Sequence, residues 1–106
     1  MNKIKRVAVV GGSNLKVTDK WVSQVAQHLT EHKAGEVITT GNGGGSLIAE
    51  KAAASLGIPN VLLYPASMVD RADVLFTLPG GSNTRSMARM FIDKKKPVVT
   101  LVGEAG

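Results

Sequence analysis

The strongest constraint on the fold is a regular alternation of short apolar runs with helix-like segments. Lys5–Val10, with the sequence KRVAVV, is rich in β-branched residues and is typical of a strand buried on both faces. Similar runs follow at residues 36–40, 60–64, 73–78 and 98–102. Strands separated by helices at this spacing indicate right-handed βαβ units, so the sequence predicts an α/β fold with helices on both faces of a parallel sheet.

The segments between the strands carry their own helix start signals. Thr18 is expected to cap the first helix, and Ser46 is expected to open the second. A helix of one or two turns is expected at residues 66–71, and Ser82 or Asn83 is expected to cap the last helix.

Glycine is concentrated in three short segments, each of which follows a predicted strand. Most of the 12 glycines lie in residues 11–14, 41–45 and 80–84. Doubly wound sheets bind ligands beyond the carboxyl ends of their strands. The strand order 3-2-1-4-5 brings these segments to one rim, whereas in the flavodoxin-like order 2-1-3-4-5 the third strand separates them. We therefore predict a three-layer, Rossmann-like, parallel five-stranded sheet of order 3-2-1-4-5.

These segments have the chemistry of a ligand site. Backbone amides at glycine-rich helix N-termini attract anions, and nearby hydroxyl and amide side chains suit phosphate, ribose or base edges. The alternative is that the glycines only permit tight turns, and that Ser46 and Asn83 only cap helices. Arg85 is the arginine expected to contact the ligand unless it lies on a solvated helix face, and Arg71 is expected near the same rim. The predicted ligand-binding residues are Gly11, Gly12, Ser13, Asn14, Thr40, Gly41, Asn42, Gly43, Gly44, Pro79, Gly80, Gly81, Ser82, Asn83, Thr84 and Arg85.

Several cofactor motifs are absent from the sequence. The first loop lacks the G-x-G-x-x-G pattern of a dinucleotide site, and no lysine stands between Gly45 and Ser46 as a P-loop requires. Without cysteine there is no thiolate metal site. His28 and His32 have the spacing of a metal pair, but no third ligand is evident. We predict no resident cofactor and no metal site.

The basic charge allows anionic partners without choosing among them. The net charge is +5 and the pI is about 9.8, but four aromatic residues are few for a protein that stacks nucleic-acid bases. At most weak, non-specific nucleic-acid binding is expected, with residues 94–96 forming a solvated helix end. No apolar run suits a signal peptide or a membrane span, so we expect a single cytoplasmic domain over residues 1–106 with no membrane partner.

One stretch of the chain carries a family resemblance. The run DVLFTLPGGSNT at residues 73–84, with GGS at 11–13 and TGNGG at 40–44, resembles the LONELY GUY (LOG) family and its wider SLOG superfamily. The likeness spans nearly the whole chain. It implies a Rossmann-like sheet that binds nucleotides or nucleotide-derived ligands, and the cytokinin-activating members cleave a base from ribose 5′-monophosphate. The family motif P-G-G-x-G-T-x-x-E assigns phosphate binding to Gly80, Gly81 and Thr84.

The catalytic positions of that family are not kept in this sequence. Asn83 stands at the third glycine of the motif and Met87 at its glutamate, while Tyr64 and Pro65 stand where the resemblance implies an arginine. We therefore predict no catalytic residue and favour a sensor, carrier or sequestering protein for a nucleotide or another phosphorylated ribosyl ligand.

Two other functions remain open, together with an expectation about assembly. An N-glycosidic phosphoribohydrolase or transferase would need an acid near the sugar, and Asp70 and Asp73 are the candidates. A nucleic-acid-binding module similar to the DNA-processing protein A family, which shares the superfamily, is the other alternative. The resemblance also implies a homodimer or higher homo-oligomer, for which the small apolar helix face at Ile48, Ala49, Ala52 and Ala53 is a candidate surface.

Overall fold

The computed structural model describes residues 4–41 and 43–102, and in this part of the chain strands alternate with helices. The elements are β1 (Lys5–Val10), α1 (Asp19–Glu31), β2 (Ala34–Thr39), α2 (Gly43–Leu56), β3 (Asn60–Leu62), α3 (Pro65–Arg71), β4 (Val74–Thr77), α4 (Ser82–Asp93) and β5 (Val98–Thr100). All neighbouring strands are parallel and lie in the order β3-β2-β1-β4-β5. The predicted α/β class and strand order are confirmed.

The helices cover the sheet in two layers. Consecutive strand residues point to opposite faces, so Val9 and Phe76 lie in the core under α1 and α2, while Ala8 and Leu75 lie under α3 and α4. Each core contains a fully buried phenylalanine, Phe76 in one and Phe91 in the other. This packing holds the carboxyl ends of β1 and β4 side by side.

Several element ends differ from the sequence prediction. Thr18 caps α1 as predicted, because its hydroxyl accepts a hydrogen bond from the Trp21 amide at 3.1 Å. The second helix begins at Gly43 rather than Ser46, so its first turn consists of glycine backbone. The last helix begins at Ser82, and its cap is Gly81, which offers no side chain for a capping hydrogen bond.

A charged cluster lies at the amino ends of the strands, opposite the glycine segments. The guanidinium of Arg71 donates two hydrogen bonds of 2.8 Å to Glu36, and Arg6 Nε lies 3.4 Å from the same carboxylate. These hydrogen bonds hold the pKa of Glu36 below its ordinary value. The Arg6 amide also donates to the Asp73 carboxylate at 2.8 Å. The expectation that Arg71 lies near the ligand rim is therefore wrong, because α3 ends at the amino ends of the strands, opposite the glycine segments.

The lysine run after α4 is partly structural. Lys96 Nζ donates to the carbonyl oxygens of Val69 at 2.5 Å and Asp70 at 3.2 Å, at the carboxyl end of α3. A cation is favourable there because the helix dipole makes this end partly negative. The prediction of a wholly solvated lysine run is wrong for Lys96.

Two observations concern surfaces. The α2 face proposed for self-association is fully buried against the sheet and α1, which leaves it unavailable to a second copy; its members are Ile48, Ala49, Ala52 and Ala53. No helix among residues 4–41 and 43–102 is long and apolar enough to cross a membrane.

Candidate functional site

The loops after β1 and β4 interlock at the carboxyl end of the sheet. The Gly12 amide donates to the Pro79 carbonyl at 2.8 Å, and the Leu78 amide donates to Val10 at 2.8 Å. A Cβ atom at Gly80 would lie only 2.7 Å from the Gly12 amide nitrogen. Glycine is therefore required at position 80 because two backbone segments approach each other closely.

The first turn of α2 packs against the loop after β1. Its amides at Gly44 and Gly45 donate to the carbonyl oxygens of Ser13 at 3.0 Å and Gly12 at 3.2 Å. A Cβ atom at Gly44 would collide with the carbonyl oxygen of Leu15. The three glycine segments therefore meet as predicted, but the amides of Gly44 and Gly45 are used inside the protein.

A cleft of about 460 Å³ lies between the loop after β1 and the start of α4. No lining residue carries a carboxylate. The cleft is lined by Gly12, Ser13, Asn14, Leu15, Pro79, Gly80, Gly81, Ser82, Asn83 and Thr84. All of these except Leu15 were expected from the sequence; Leu15 is an isolated apolar loop residue that gives no sequence signal of its own.

The first turn of α4 forms part of the cleft lining. The amides of Ser82, Asn83 and Thr84 precede the first carbonyl-bonded turn, and no residue in the described part of the chain accepts a hydrogen bond from them. The Arg85 amide is the first to be bonded, to the Gly81 carbonyl at 3.3 Å. A Cβ atom at Gly81 would meet nothing within 4 Å, so the cap faces open space. Free donors at the positive end of a helix suit a phosphate oxygen.

Other predicted ligand residues lie outside the cleft lining. Asn42 falls outside the described residues, and Arg85 is exposed on the first turn of α4 without lining the cleft. Gly41 has a positive φ of 78° and packs beside Leu62. The remaining ones are Gly11, directly after β1, Thr40, directly after β2, and Gly43 and Gly44, in the first turn of α2.

The candidate catalytic positions are distant from the cleft or chemically unsuited to catalysis. Met87 is buried in the core between α4 and the sheet, and Tyr64, directly before α3, is 84% exposed. The Asp73 carboxylate accepts a hydrogen bond from the Arg6 amide at the amino ends of the strands. The Asp70 carbonyl accepts one from Lys96 at the same end of the sheet. The expectation that Asp70 and Asp73 lie near the glycine-rich rim is wrong, because the end of α3 and the start of β4 lie at the amino ends of the strands.

His28, in the last turn of α1, and His32, directly after that helix, pack against an aromatic ring. The ring centres of His28 and His32 lie 6.0 and 5.1 Å from that of Phe76, both in edge-on geometry. Burial, and then the nearby Lys5 charge, lower the pKa of His32. Among residues 4–41 and 43–102, no three histidine, aspartate or glutamate side chains are placed to share a metal ion.

Comparisons with known proteins find similar structures. The molybdenum cofactor binding protein from the phototrophic bacterium Rippkaea orientalis superposes with a TM-score of 0.76 at 16% identity, covering 96% of this chain and 78% of that chain. The Moco Carrier Protein from Chlamydomonas reinhardtii superposes with a TM-score of 0.68 at 19% identity, covering 95% and 78%. No protein-family model and no curated protein matches the sequence. At these identities the likeness is one of fold.

Proposed function

We propose that this protein binds a small phosphorylated molecule and serves as its carrier, sensor or sequestering protein. The phosphate would lie at the start of α4 and accept hydrogen bonds from the amides of Ser82, Asn83 and Thr84, three residues that line the cleft. The observation that carries the proposal is this set of backbone donors at a helix N-terminus, which have no acceptor among the described residues, beside a glycine cap that faces open space.

The surroundings of the cleft favour an anion. Its volume of about 460 Å³ falls within the range of small-molecule sites, roughly 300–1,000 Å³. No carboxylate lines it, and the whole chain carries a net charge of +5. A phosphate would therefore meet donors and a favourable field, with no competing negative group in the described lining.

Two ligand classes have separate support. The resemblance to LOG proteins supports a nucleotide or nucleotide-derived ligand, while the names of the two structural neighbours support molybdenum cofactor. The residues lining the cleft carry no thiolate, imidazole or carboxylate, so they would hold either molecule through polar contacts and not as ligands to a metal. A carrier role fits both classes because binding needs no catalytic group.

Catalysis has less support in the geometry. An N-glycosidase would need an acid close to the scissile bond. Asp70 and Asp73 lie at the amino ends of the strands, away from the cleft, and Met87 is buried. Nucleic-acid binding of the DNA-processing protein A kind would have to rely on surface charge.

A pair of charge substitutions on one helix tests the proposal. Asn83→Asp places a carboxylate in the cleft, whereas Ser86→Asp places the same charge on α4 outside the lining. An acidic residue in the first turn stabilises a helix, so Asn83→Asp should remain folded. Calorimetric titration with inorganic phosphate, nucleoside monophosphates and molybdenum cofactor should show at least about tenfold weaker binding to Asn83→Asp, equivalent to 1.4 kcal/mol, and little change in Ser86→Asp. Equal binding by both variants would exclude this phosphate site.

A further inference from the structure

A cluster of basic and aromatic side chains joins the end of α1 to the sheet, away from the cleft. Lys5 Nζ, at the start of β1, lies 3.3 Å from Nδ1 of His32, the residue that caps the carboxyl end of α1. The His32 ring also packs edge-on against Phe76 of β4, with ring centres 5.1 Å apart. Because Phe76 is fully buried, the end of α1 helps to cover the core.

The contact between Lys5 and His32 requires one protonation state of the imidazole. An ammonium group has no lone pair, so Lys5 can only donate a hydrogen bond. His32 Nδ1 must then accept, and the ring carries its single proton on Nε2. A second proton would occupy Nδ1, remove the acceptor and bring two positive charges together. The hydrogen bond therefore exists only while His32 is neutral.

The surroundings of His32 also favour its neutral form. The charged or titratable groups that act on it are Lys5 from β1 and two residues of α1, His28 and Glu31. The β4 residue against the ring, Phe76, carries no charge. Burial, then Lys5 and His28, lower the pKa of His32, and Glu31 opposes them. The Glu31 carboxylate lies 3.9 Å from His28 Nδ1, so a proton on His28 would be paired, unlike a proton on His32.

The turn that follows His32 is strained. Lys33 has a φ of 54°, in the left-handed region that residues other than glycine rarely adopt. Two backbone hydrogen bonds of 3.0 Å close this turn, from the His32 amide to the His28 carbonyl and from the Lys33 amide to the Thr30 carbonyl. Because a strained turn persists only where neighbouring contacts hold it, loss of the Lys5 contact should loosen the end of α1.

We propose that the hydrogen bond between Lys5 and His32 is a pH-sensitive contact, which holds the carboxyl end of α1 against Phe76 at neutral pH and is released when His32 is protonated. The release is local, because Val25 and Leu29 of the same helix stay buried in the core. The folded protein lowers the pKa of His32 from its ordinary value of 6.5, so the contact contributes fully above that pH. Its contribution is lost as the pH falls through the folded-state pKa.

Amide hydrogen exchange measures the release directly. The protection factors of the His32 and Lys33 amides, which correct for the intrinsic effect of pH on exchange, should fall at least about threefold between about pH 7.5 and pH 5.5. The amide of Val9, in the centre of β1, should keep its protection. Unchanged protection at the end of α1, or an NMR titration in which the His32 ring protonates at or above pH 6.5, would overturn the proposal.

Two asparagine substitutions provide the matched test. His32→Asn removes the titrating ring but keeps an acceptor, because the asparagine side-chain oxygen can accept from Lys5. His28→Asn makes the same change one turn earlier, at the histidine that lies beside Glu31. The fall in protection in acid should disappear in His32→Asn and persist in His28→Asn. A fall of equal size in both variants and in the wild type would overturn the proposal, because His32 would then not be the group that titrates.

A pair of lysine substitutions tests the other side of the contact. Lys5→Met removes the donor and its charge, whereas Lys33→Met removes the same charge from the exposed residue next to His32. The NMR pKa of His32 should rise in Lys5→Met and stay unchanged in Lys33→Met. An equal rise in both variants would overturn the proposal, since general charge and not the specific hydrogen bond would then explain the effect. The test with His32→Asn does not depend on Lys5→Met being folded.

Discussion

At the scale of single residues, the glycines divide into two roles that the sequence does not distinguish. Gly44 and Gly80 allow backbone segments to touch, since a Cβ atom there would collide with the Leu15 carbonyl oxygen or the Gly12 amide nitrogen. Gly81 faces open space beside the α4 amides. The sequence predicts that all three glycines bind ligand. Only the three-dimensional arrangement of the backbone shows which glycine packs against another segment and which faces open space.

This division predicts opposite outcomes for two substitutions. Gly44→Ala should lower the free energy of unfolding by about 3 kcal/mol or more, because a new methyl group has no room against the Leu15 carbonyl. Gly81→Val should keep nearly full stability and lose phosphate binding, because its side chain would occupy the approach to the α4 amides. Denaturant titration and calorimetry measure the two effects. A stable Gly44→Ala variant, or a folded Gly81→Val variant with unchanged affinity, would contradict this division.

At the scale of elements, helix ends with a side-chain cap could be predicted and those built from backbone could not. Thr18 marks the start of α1 in the sequence, because its hydroxyl accepts a hydrogen bond from the Trp21 amide. The cap of α4 is Gly81, which has no side chain, and not Ser82 or Asn83, while α2 begins at Gly43, three residues before the predicted Ser46. The pairing of Arg71 with Glu36 was also missed because it joins positions 35 residues apart, and no local pattern records such a contact.

The cap of α1 gives a prediction of moderate size. Thr18→Ala removes the acceptor of the Trp21 amide and should lower the free energy of unfolding by about 1 kcal/mol. Thr30→Ala, whose hydroxyl bonds a carbonyl in the helix interior, serves as the matched control and should cost less. Chemical denaturation measures both. An equal effect in the two variants would mean that the cap contributes nothing specific.

The charged cluster of Arg6, Glu36 and Arg71, at the amino ends of the strands, makes the free energy of unfolding depend on pH. Because the folded state lowers the pKa of Glu36 below its ordinary value of 4.5, its contribution is complete above that pH and is lost as the pH falls through the folded-state pKa. Glu36→Gln should therefore melt roughly a few degrees lower than wild type at pH 7, and the gap should narrow below pH 4.5. Glu31→Gln, on the exposed end of α1, should change melting little. A gap that widens in acid would contradict this account.

At the scale of the whole molecule, the sheet order was predictable because the positions of the glycine segments favour one strand arrangement. Buried runs such as Lys5–Val10 identify central strands, and three ligand-suited loops require β2, β1 and β4 to be neighbours. The groove lined by Trp21, Gln24 and His28 was not predicted. It borders one face of α1, but its lining also includes Val102, which follows the last strand and is distant in sequence. Periodicity identifies the inward face of α1 but not what its other faces border.

The net charge of the molecule leads to one further prediction. Binding to single-stranded DNA should be weak and independent of sequence. Its affinity should fall steeply as the salt concentration rises, because the attraction would come from surface charges, which salt screens. Fluorescence anisotropy with oligonucleotides of different sequence at two salt concentrations measures this. Tight, sequence-dependent binding at physiological salt would instead favour the nucleic-acid function.

The most direct test of the phosphate site is an amide NMR titration of the intact protein with inorganic phosphate and guanosine monophosphate. The resonances of Ser82, Asn83 and Thr84 should shift most, because their amides are the donors at the start of α4 that have no acceptor among the described residues. The amides of Gly44 and Gly45, already bonded to the first loop, should move less. Shifts confined to other surfaces such as residues 94–96, or no shift at saturating ligand, would contradict the account.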